Sequence, residues 1–159
     1  MVWKPDVTVA AIIERDDRFL LVEELIRGHL VLNQPAGHLE DGESLIQAVV
    51  RETLEETAWS FAPSALVGIY LWRSQRAHTT LRFAFTGSVS DFDAERALDP
   101  PVQATHWLTR ADILQRRAQL RTVLVTRCID DYLAGQRLPL AAIANEVLNQ
   151  RVPEQRPSP

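Results

Sequence analysis

Glu52, Glu55 and Glu56 stand at relative positions zero, three and four within Ser44 to Thr57, a stretch whose apolar or small residues Leu45, Ala48, Val49, Thr53 and Leu54 recur at helical spacing. On a helix those three carboxylates share one face within reach of one another. Like charges so placed destabilise an isolated helix by about 0.2–0.5 kcal/mol per pair. Their position in the last turns also sets them against the negative end of the helix dipole. A hard divalent cation reverses the sign of this argument, because Mg²⁺ takes oxygen ligands and keeps waters and phosphate oxygens in its shell. Two readings follow from the cluster alone: a metal seat, or glutamates on a solvated helix face with Arg51 offsetting part of their charge.

The surrounding spacing decides between them. Gly37-His38-Leu39-Glu40-Asp41-Gly42-Glu43 leads, through the helix, to Arg51-Glu52-Thr53-Leu54-Glu55-Glu56-Thr57-Ala58-Trp59. This resembles the Nudix box, G-x5-E-x7-R-E-U-x-E-E-x-G-U with U an apolar residue, and several fixed identities at fixed offsets make it far more specific than a lone glycine pattern. The departures lie at the end of the box, where Ala58 replaces the usual glycine and Thr53 and Trp59 fill two apolar positions. No carboxylate is lost. Glycine just after a helix serves a left-handed conformation, so Ala58 implies either a different exit from the helix or tolerated strain.

The resemblance implies an α/β fold, a Nudix-type α/β/α sandwich with a mixed β-sheet in which the box forms loop-helix-loop, and hydrolysis of diphosphate linkages with Mg²⁺ or Mn²⁺. Carried onto this chain, it makes Glu52, Glu55 and Glu56 metal ligands, joined by a backbone carbonyl at Ala36 or Gly37. Arg51 orients Glu52. Glu43 is then either a partner of Arg51 or a carboxylate favoured by the helix N-terminus. Attack by water needs a carboxylate to take its proton, and Glu52 or Glu55 is the candidate base. Family members also borrow an acid from a later loop; Asp91, Asp93, Glu95 and Asp99 are available here.

Segments outside the box are similar to the NudJ-type phosphatase subgroup: Pro5 to Ala10, Asn33-Gln34-Pro35-Ala36 at the box entrance, Leu81-Arg82-Phe83, Arg127-Cys128-Ile129 and Gly135 to Leu140. That similarity implies a monomer releasing orthophosphate from hydroxymethylpyrimidine pyrophosphate, thiamine pyrophosphate and nucleoside di- and triphosphates. The alternatives are a Nudix pyrophosphatase for ADP-ribose, another nucleotide sugar or oxidised nucleotides, and a non-catalytic Nudix binding module.

Such a substrate needs cations along its phosphates and a flat apolar surface for its ring. Arg82 on a strand, and Arg73 and Arg76 in the polar connection before it, are the candidate phosphate clasps. Tyr70 and Trp72 fall on one side of a strand, which suits a stacking platform or ordinary core packing. Asn33 and Gln34 could read ring edges, or bind their own backbone. His29, His38, His78 and His106 show no metal-site spacing. Cys128, on an amphipathic helix, reads as a small buried hydrophobe.

The elements that must position these residues follow from periodicity and breakers. Val7 to Ile13 and Phe19 to Val22 are apolar runs separated by Arg15-Asp16-Asp17-Arg18, which predicts a hairpin. Leu30 to Leu32 is a third short strand, and Pro35, Gly37 and Gly42 predict a loop from there to Ser44. Leu66 to Trp72, Leu81 to Phe85 and Gln103 to Leu108 read as strands. Helices are predicted over Thr109 to Arg117, with Thr109 and Asp112 as an acidic capping box, over Thr122 to Leu133, and over Ala141 to Leu148.

The 159 residues, 46% of them hydrophobic, suit one domain over 1–150 with a proline-rich, disordered tail over 151–159. The single Cys128 can form no internal disulfide, and the early charge and proline at Lys4-Pro5 are unlike a signal peptide, so a cytoplasmic protein is expected. No apolar run reaches membrane-spanning length. A net charge of -4 offers no broad field for wrapping a nucleic acid polymer. The expected partner is a small phosphorylated molecule, which must find local cations.

Overall fold

A computed structural model describes residues 2–75 and 77–144 of the chain. Arg76, the tail over 151–159 and the later part of the helix predicted over Ala141 to Leu148 lie outside the described residues; the described part of that last segment is a 3-10 turn, Leu140–Ala142.

The first apolar run forms β1 (Asp6–Ile12), but its partners are distant. It pairs in parallel with β7 (Thr79–Ser90) and antiparallel with the short β5 (Ala36–His38), inside the segment expected to be a loop throughout. The predicted hairpin shrinks to β2 (Glu14–Arg15) against the start of β3 (Arg18–Ile26). The chain therefore changes sheets near Ile13, and the link between them there is the Leu20 N–H donating to the Ile13 carbonyl at 3.0 Å. Asp16 and Asp17 take φ of 52° and 58°, a left-handed turn that asparagine and aspartate tolerate better than most residues.

Two sheets result. One has the order β5-β1-β7-β6, where β6 is Ser60–Arg73, and it is mixed through the single parallel pair. The other is antiparallel and centres on β3, which pairs with β2 and β4 (His29–Asn33) along one edge and β8 (Val102–Thr109) along the other. Sequence periodicity foresees a single mixed sheet; division into two arises because β3 finds its partners in β4 and β8 rather than in β1.

Helices cover both faces. Helix α1 (Leu45–Thr57) packs Ala48 and Val49 on Val9, Ala11, Leu20 and Phe85. On the opposite side α2 (Arg110–Gln115) and α3 (Leu124–Leu133) bring Ile113, Val125, Cys128 and Ile129 onto Ile12, Leu21 and Ala84. Alternation along β1 splits its side chains between these two cores, giving the expected α/β/α sandwich. Both α1 and α2 start at capping boxes, Ser44 with Gln47 and Thr109 with Asp112.

Ala58 closes α1 in the left-handed conformation, φ 60°, and its N–H donates to the Leu54 carbonyl at 2.9 Å. The strain alternative therefore holds. The cost is about 1–2 kcal/mol, and the surroundings fix it: Ala58 is buried, and its carbonyl accepts the Asp93 N–H at 2.9 Å.

Candidate active site

Glu56 faces inward on α1. The Ala36 N–H donates to its Oε2 at 2.9 Å, tying the helix to β5. Burial pushes its carboxyl up to about 8, with the nearby Glu24 and Glu52 charges acting in the same direction. Glu52 is also raised, first by burial and then by Glu55, against the pull of Arg51. One turn apart, both line a cleft of about 450 Å³ whose wall also includes Ala36, Gly37 and His38.

Arg51 organises the outer edge of this wall. Its Nε and Nη2 grip both oxygens of Glu43 at 3.0 and 2.7 Å, Nη1 donates to Glu52 at 2.9 Å and Glu55 at 3.1 Å, and Nη2 also reaches the His38 carbonyl at 3.0 Å. The planar guanidinium thus joins the loop to the helix. Glu43 takes the first of its two expected roles, and Arg51 holds its carboxyl below the usual range. Glu55 and Glu43 face Arg51 and do not line the cleft.

Gly37 is required by proximity. A Cβ there would overlap the Glu52 carboxylate. The close approach of β5 to α1, and not any special backbone dihedral, explains the first glycine of the box.

The floor of the cleft comes from the first sheet. Register aligns His38 with Thr8, Thr8 with Arg82 and Arg82 with Tyr70, while Asp6, Thr80 and Trp72 form the next rung. Directly paired residues share a sheet face, so Thr8, Arg82, Thr80 and Trp72 reach the cleft together. Arg82 is only 6% exposed and its Nη1 donates to Gln34 Oε1 at 3.4 Å; Gln34 is anchored in turn through Nε2 to the Val125 carbonyl at 2.7 Å. Tyr70 packs in the α3-side core and donates its hydroxyl to Asp131 at 2.9 Å. Cys128 is buried, its thiol pushed up to about 11 by desolvation.

The second sheet supplies the remaining wall: Glu24 from β3 and Asn33 from β4, with Arg121 and Thr122 from the segment before α3. Glu24 is 1% exposed and ion-pairs through Oε1 with Arg121 Nη1. A register shift between β3 and β8 falls at Glu23/Glu24, and bulges of this kind re-aim a side chain.

Of the sequence candidates, the structure brings Glu52, Glu56, Ala36, Gly37, Arg82, Asn33 and Trp72 to one cleft. Arg73 lines a neighbouring recess of about 390 Å³ beyond Trp72, together with Arg117. Asp91, Asp93, Glu95 and Asp99 are exposed and do not line the cleft; instead the Asp93 and Asp99 N–H groups bond carbonyls at the end of α1. Glu24, Arg121 and Thr8 were not foreseen. The one available signal for Glu24 is a carboxylate continuing the apolar run from Phe19 to Val22.

Among the described residues, no three His, Cys, Asp or Glu side chains converge into a ready metal cage. The donor set nonetheless fits a hard divalent ion that keeps several waters and substrate oxygens and needs one or two protein carboxylates. Glu52 and Glu56 supply those oxygens on a wall where burial leaves their charge undercompensated.

A sandwich with this loop-helix-loop wall is the architecture of Nudix hydrolases, and the family model for the NUDIX domain matches residues 4–127. The chain belongs to that family and is a Nudix hydrolase. It is 37% identical over 143 residues to phosphatase NudJ of Escherichia coli K12, covering 90% of this chain and 93% of that protein. A Nudix hydrolase structure from Nitrosomonas europaea shares 52% identity with a TM-score of 0.88, covering 89% of this chain and 97% of that one. A Francisella tularensis bifunctional NMN adenylyltransferase/ADP ribose pyrophosphatase, complexed with AMP and a Mn ion, has 21% identity and a TM-score of 0.63, covering 83% of this chain and 42% of that one, and shows the shared fold.

Proposed function

We propose that the chain releases orthophosphate from a small heterocycle that carries a diphosphate or triphosphate, with Mg²⁺ or Mn²⁺ held by Glu52 and Glu56 and completed by Glu55 from the rim. Hydroxymethylpyrimidine pyrophosphate, thiamine pyrophosphate and nucleoside di- and triphosphates are the substrate set, acted on by a cytoplasmic monomer. The observation that carries this reading is the pair of carboxylates on the cleft wall, buried Glu56 and half-buried Glu52, with Gly37 leaving room for the second. Similarity to a phosphatase along nine-tenths of the chain supports the choice of orthophosphate as product.

The bound ion would neutralise phosphoryl charge and acidify a water. Every other part of the chemistry falls to the chain. Arg51 holds Glu52 through one oxygen, leaving the other, which has no hydrogen bond among the described residues, to accept the proton of the attacking water. Arg51 itself is satisfied by Glu43 and so keeps Glu52 in place as the proton arrives. Arg121, nearly half exposed, is the cation best placed for a phosphate, since Arg82 lies deeper and binds Gln34. Trp72 provides the apolar surface for the ring.

A phosphate-release screen with Mg²⁺ and with Mn²⁺ tests this directly. The panel contains pyrimidine pyrophosphates, common nucleotides, ADP-ribose and nucleotide sugars. Orthophosphate from the first two groups is expected. Turnover confined to ADP-ribose, with AMP and ribose phosphate as products, would replace this reading with the pyrophosphatase alternative, and ligand binding without any turnover would favour a binding module.

A further inference from the structure

Five buried side-chain atoms have no hydrogen-bond partner among the described residues: Thr8 Oγ1, Glu24 Oε2, Asn33 Oδ1, Arg82 Nε and His106 Nε2. The first four belong to residues lining the one cleft that also holds Glu52 and Glu56. His106 lies outside it, 3.5 Å from Glu23. Buried polar groups are nearly always satisfied, so four unpartnered atoms on residues that line one cleft need a ligand or water to serve them. A ligand that displaces that water without replacing its bonds in kind loses affinity.

The four atoms form a mixed set. Glu24 Oε2 and Asn33 Oδ1 accept, Arg82 Nε donates, and the Thr8 hydroxyl does either. A phosphate would meet two acceptors that repel its oxygens. A second divalent ion would sit against Arg121, which binds the other oxygen of Glu24, and Arg82. The edge of a nitrogen heterocycle matches such a set, because it carries donors and acceptors side by side, and Trp72 on the same cleft offers a surface for its face.

The geometry points to a ring-reading subsite in which Glu24 Oε2 and Asn33 Oδ1 accept the N–H groups of an exocyclic amine while Arg82 Nε donates to the adjacent ring nitrogen or carbonyl. Glu24 is the specificity-determining residue: Arg121 holds its Oε1, and the carboxylate paired in this way accepts hydrogen bonds but offers none to a carbonyl. The cleft therefore prefers amino-bearing rings such as cytosine over rings with a carbonyl at that place, such as uracil. This deepens the substrate reading above, and only its phosphate end rests on that reading.

The test compares cytidine and uridine ligands on the full chain and on Glu24→Gln. For the diphosphates with Mg²⁺, kcat/KM is measured; for the monophosphates, calorimetric affinity is measured without metal or turnover. One charged hydrogen bond lost to a carbonyl corresponds to roughly tenfold or more in discrimination. The wild type is expected to favour cytidine by that factor in both measurements. Glu24→Gln, whose amide can donate to a carbonyl, should bring the ratio near one or invert it. Asn33→Ala, a second route should the first variant fold poorly, should lower the cytidine preference.

Equal affinity for both monophosphates in the wild type, binding of neither at millimolar concentration, or an unchanged ratio in a folded Glu24→Gln would each overturn the subsite. A ring preference without any hydrolysis would sink the proposed reaction and leave the subsite standing. Hydrolysis without a ring preference would do the reverse.

Discussion

The two walls of the cleft are built on opposite terms. On the α1 side, Arg51 is bonded to Glu43, Glu52, Glu55 and the His38 carbonyl, and Glu56 is bonded to the Ala36 N–H. On the sheet side, Thr8, Glu24, Asn33 and Arg82 each leave a buried polar atom open. The difference separates two tasks. A reacting carboxylate must be fixed before substrate arrives, because misplacement of about 1 Å can cost about 10²-fold in rate. A recognition surface gains selectivity from bonds that only the correct ligand completes.

The largest effect is expected where a reacting carboxylate is removed. Glu52→Gln or Glu56→Gln should lower kcat by about 10²–10⁴-fold, the range set by loss of a positioned base or of a charge at the metal. The thermal transition should stay near the wild-type value at neutral pH, because glutamine keeps the acceptor that Arg51 or the Ala36 N–H uses. A kcat within a few-fold of wild type in both would contradict their assignment.

Next comes Gly37→Ala. Its methyl can be accommodated only by moving the Glu52 side chain. Activity should fall by about 10²-fold with little loss of stability, since the displaced group is the end of a flexible chain. A crystal structure of the variant with Glu52 unmoved would refute the packing argument.

A third effect concerns pH. The folded carboxyl of Glu56 is raised from 4.5 to about 8, so between those values the folded chain keeps a proton that the unfolded chain releases. Folding is then linked to proton uptake, and metal-free stability should decline as pH rises from about 5 to about 8. Glu56→Gln should flatten that part of the profile in denaturant titrations. A wild-type profile that rises through this window would mean that Glu56 is already ionised and compensated.

The smallest change is expected at the helix exit, outside both walls. Ala58→Gly relieves left-handed strain of about 1–2 kcal/mol but removes a buried methyl worth about 0.8 kcal/mol and makes the unfolded chain more flexible. The net shift should lie within about 1 kcal/mol by chemical denaturation, with activity unchanged; a large loss of activity would tie the exit turn to the site.

How much of this was legible in the sequence also divides along the two walls. Helix α1 carries its own instructions: a capping box at Ser44 and Gln47, apolar residues at period 3.6, and carboxylates at fixed offsets. Residues on one short segment report their mutual positions through local geometry alone. The other wall depends on partners far away in the chain. Glu24 is buried because β3 is paired along both edges, and β8, which covers one of them, begins at Val102. Neither fact is local to Glu24.

The strand β6 shows the same limit. It starts at Ser60, six residues before the start expected at Leu66, because bulges at Pro63/Ala65 and Leu66/Gly68 disrupt the alternation by which a strand is recognised. Arg121 joins the cleft through an irregular segment, where its own N–H donates to the Leu32 carbonyl at 2.9 Å, and no periodicity marks it. Arg82 and Trp72 were legible as strand residues, yet only pairing register reveals that they share the floor with Thr8.

The metal seat is tested most directly by an anomalous difference map from crystals soaked in Mn²⁺. A peak is expected within coordination distance of carboxylate oxygens of Glu52 and Glu56. A peak elsewhere, or none at Mn²⁺ concentrations that support phosphate release, would contradict that assignment.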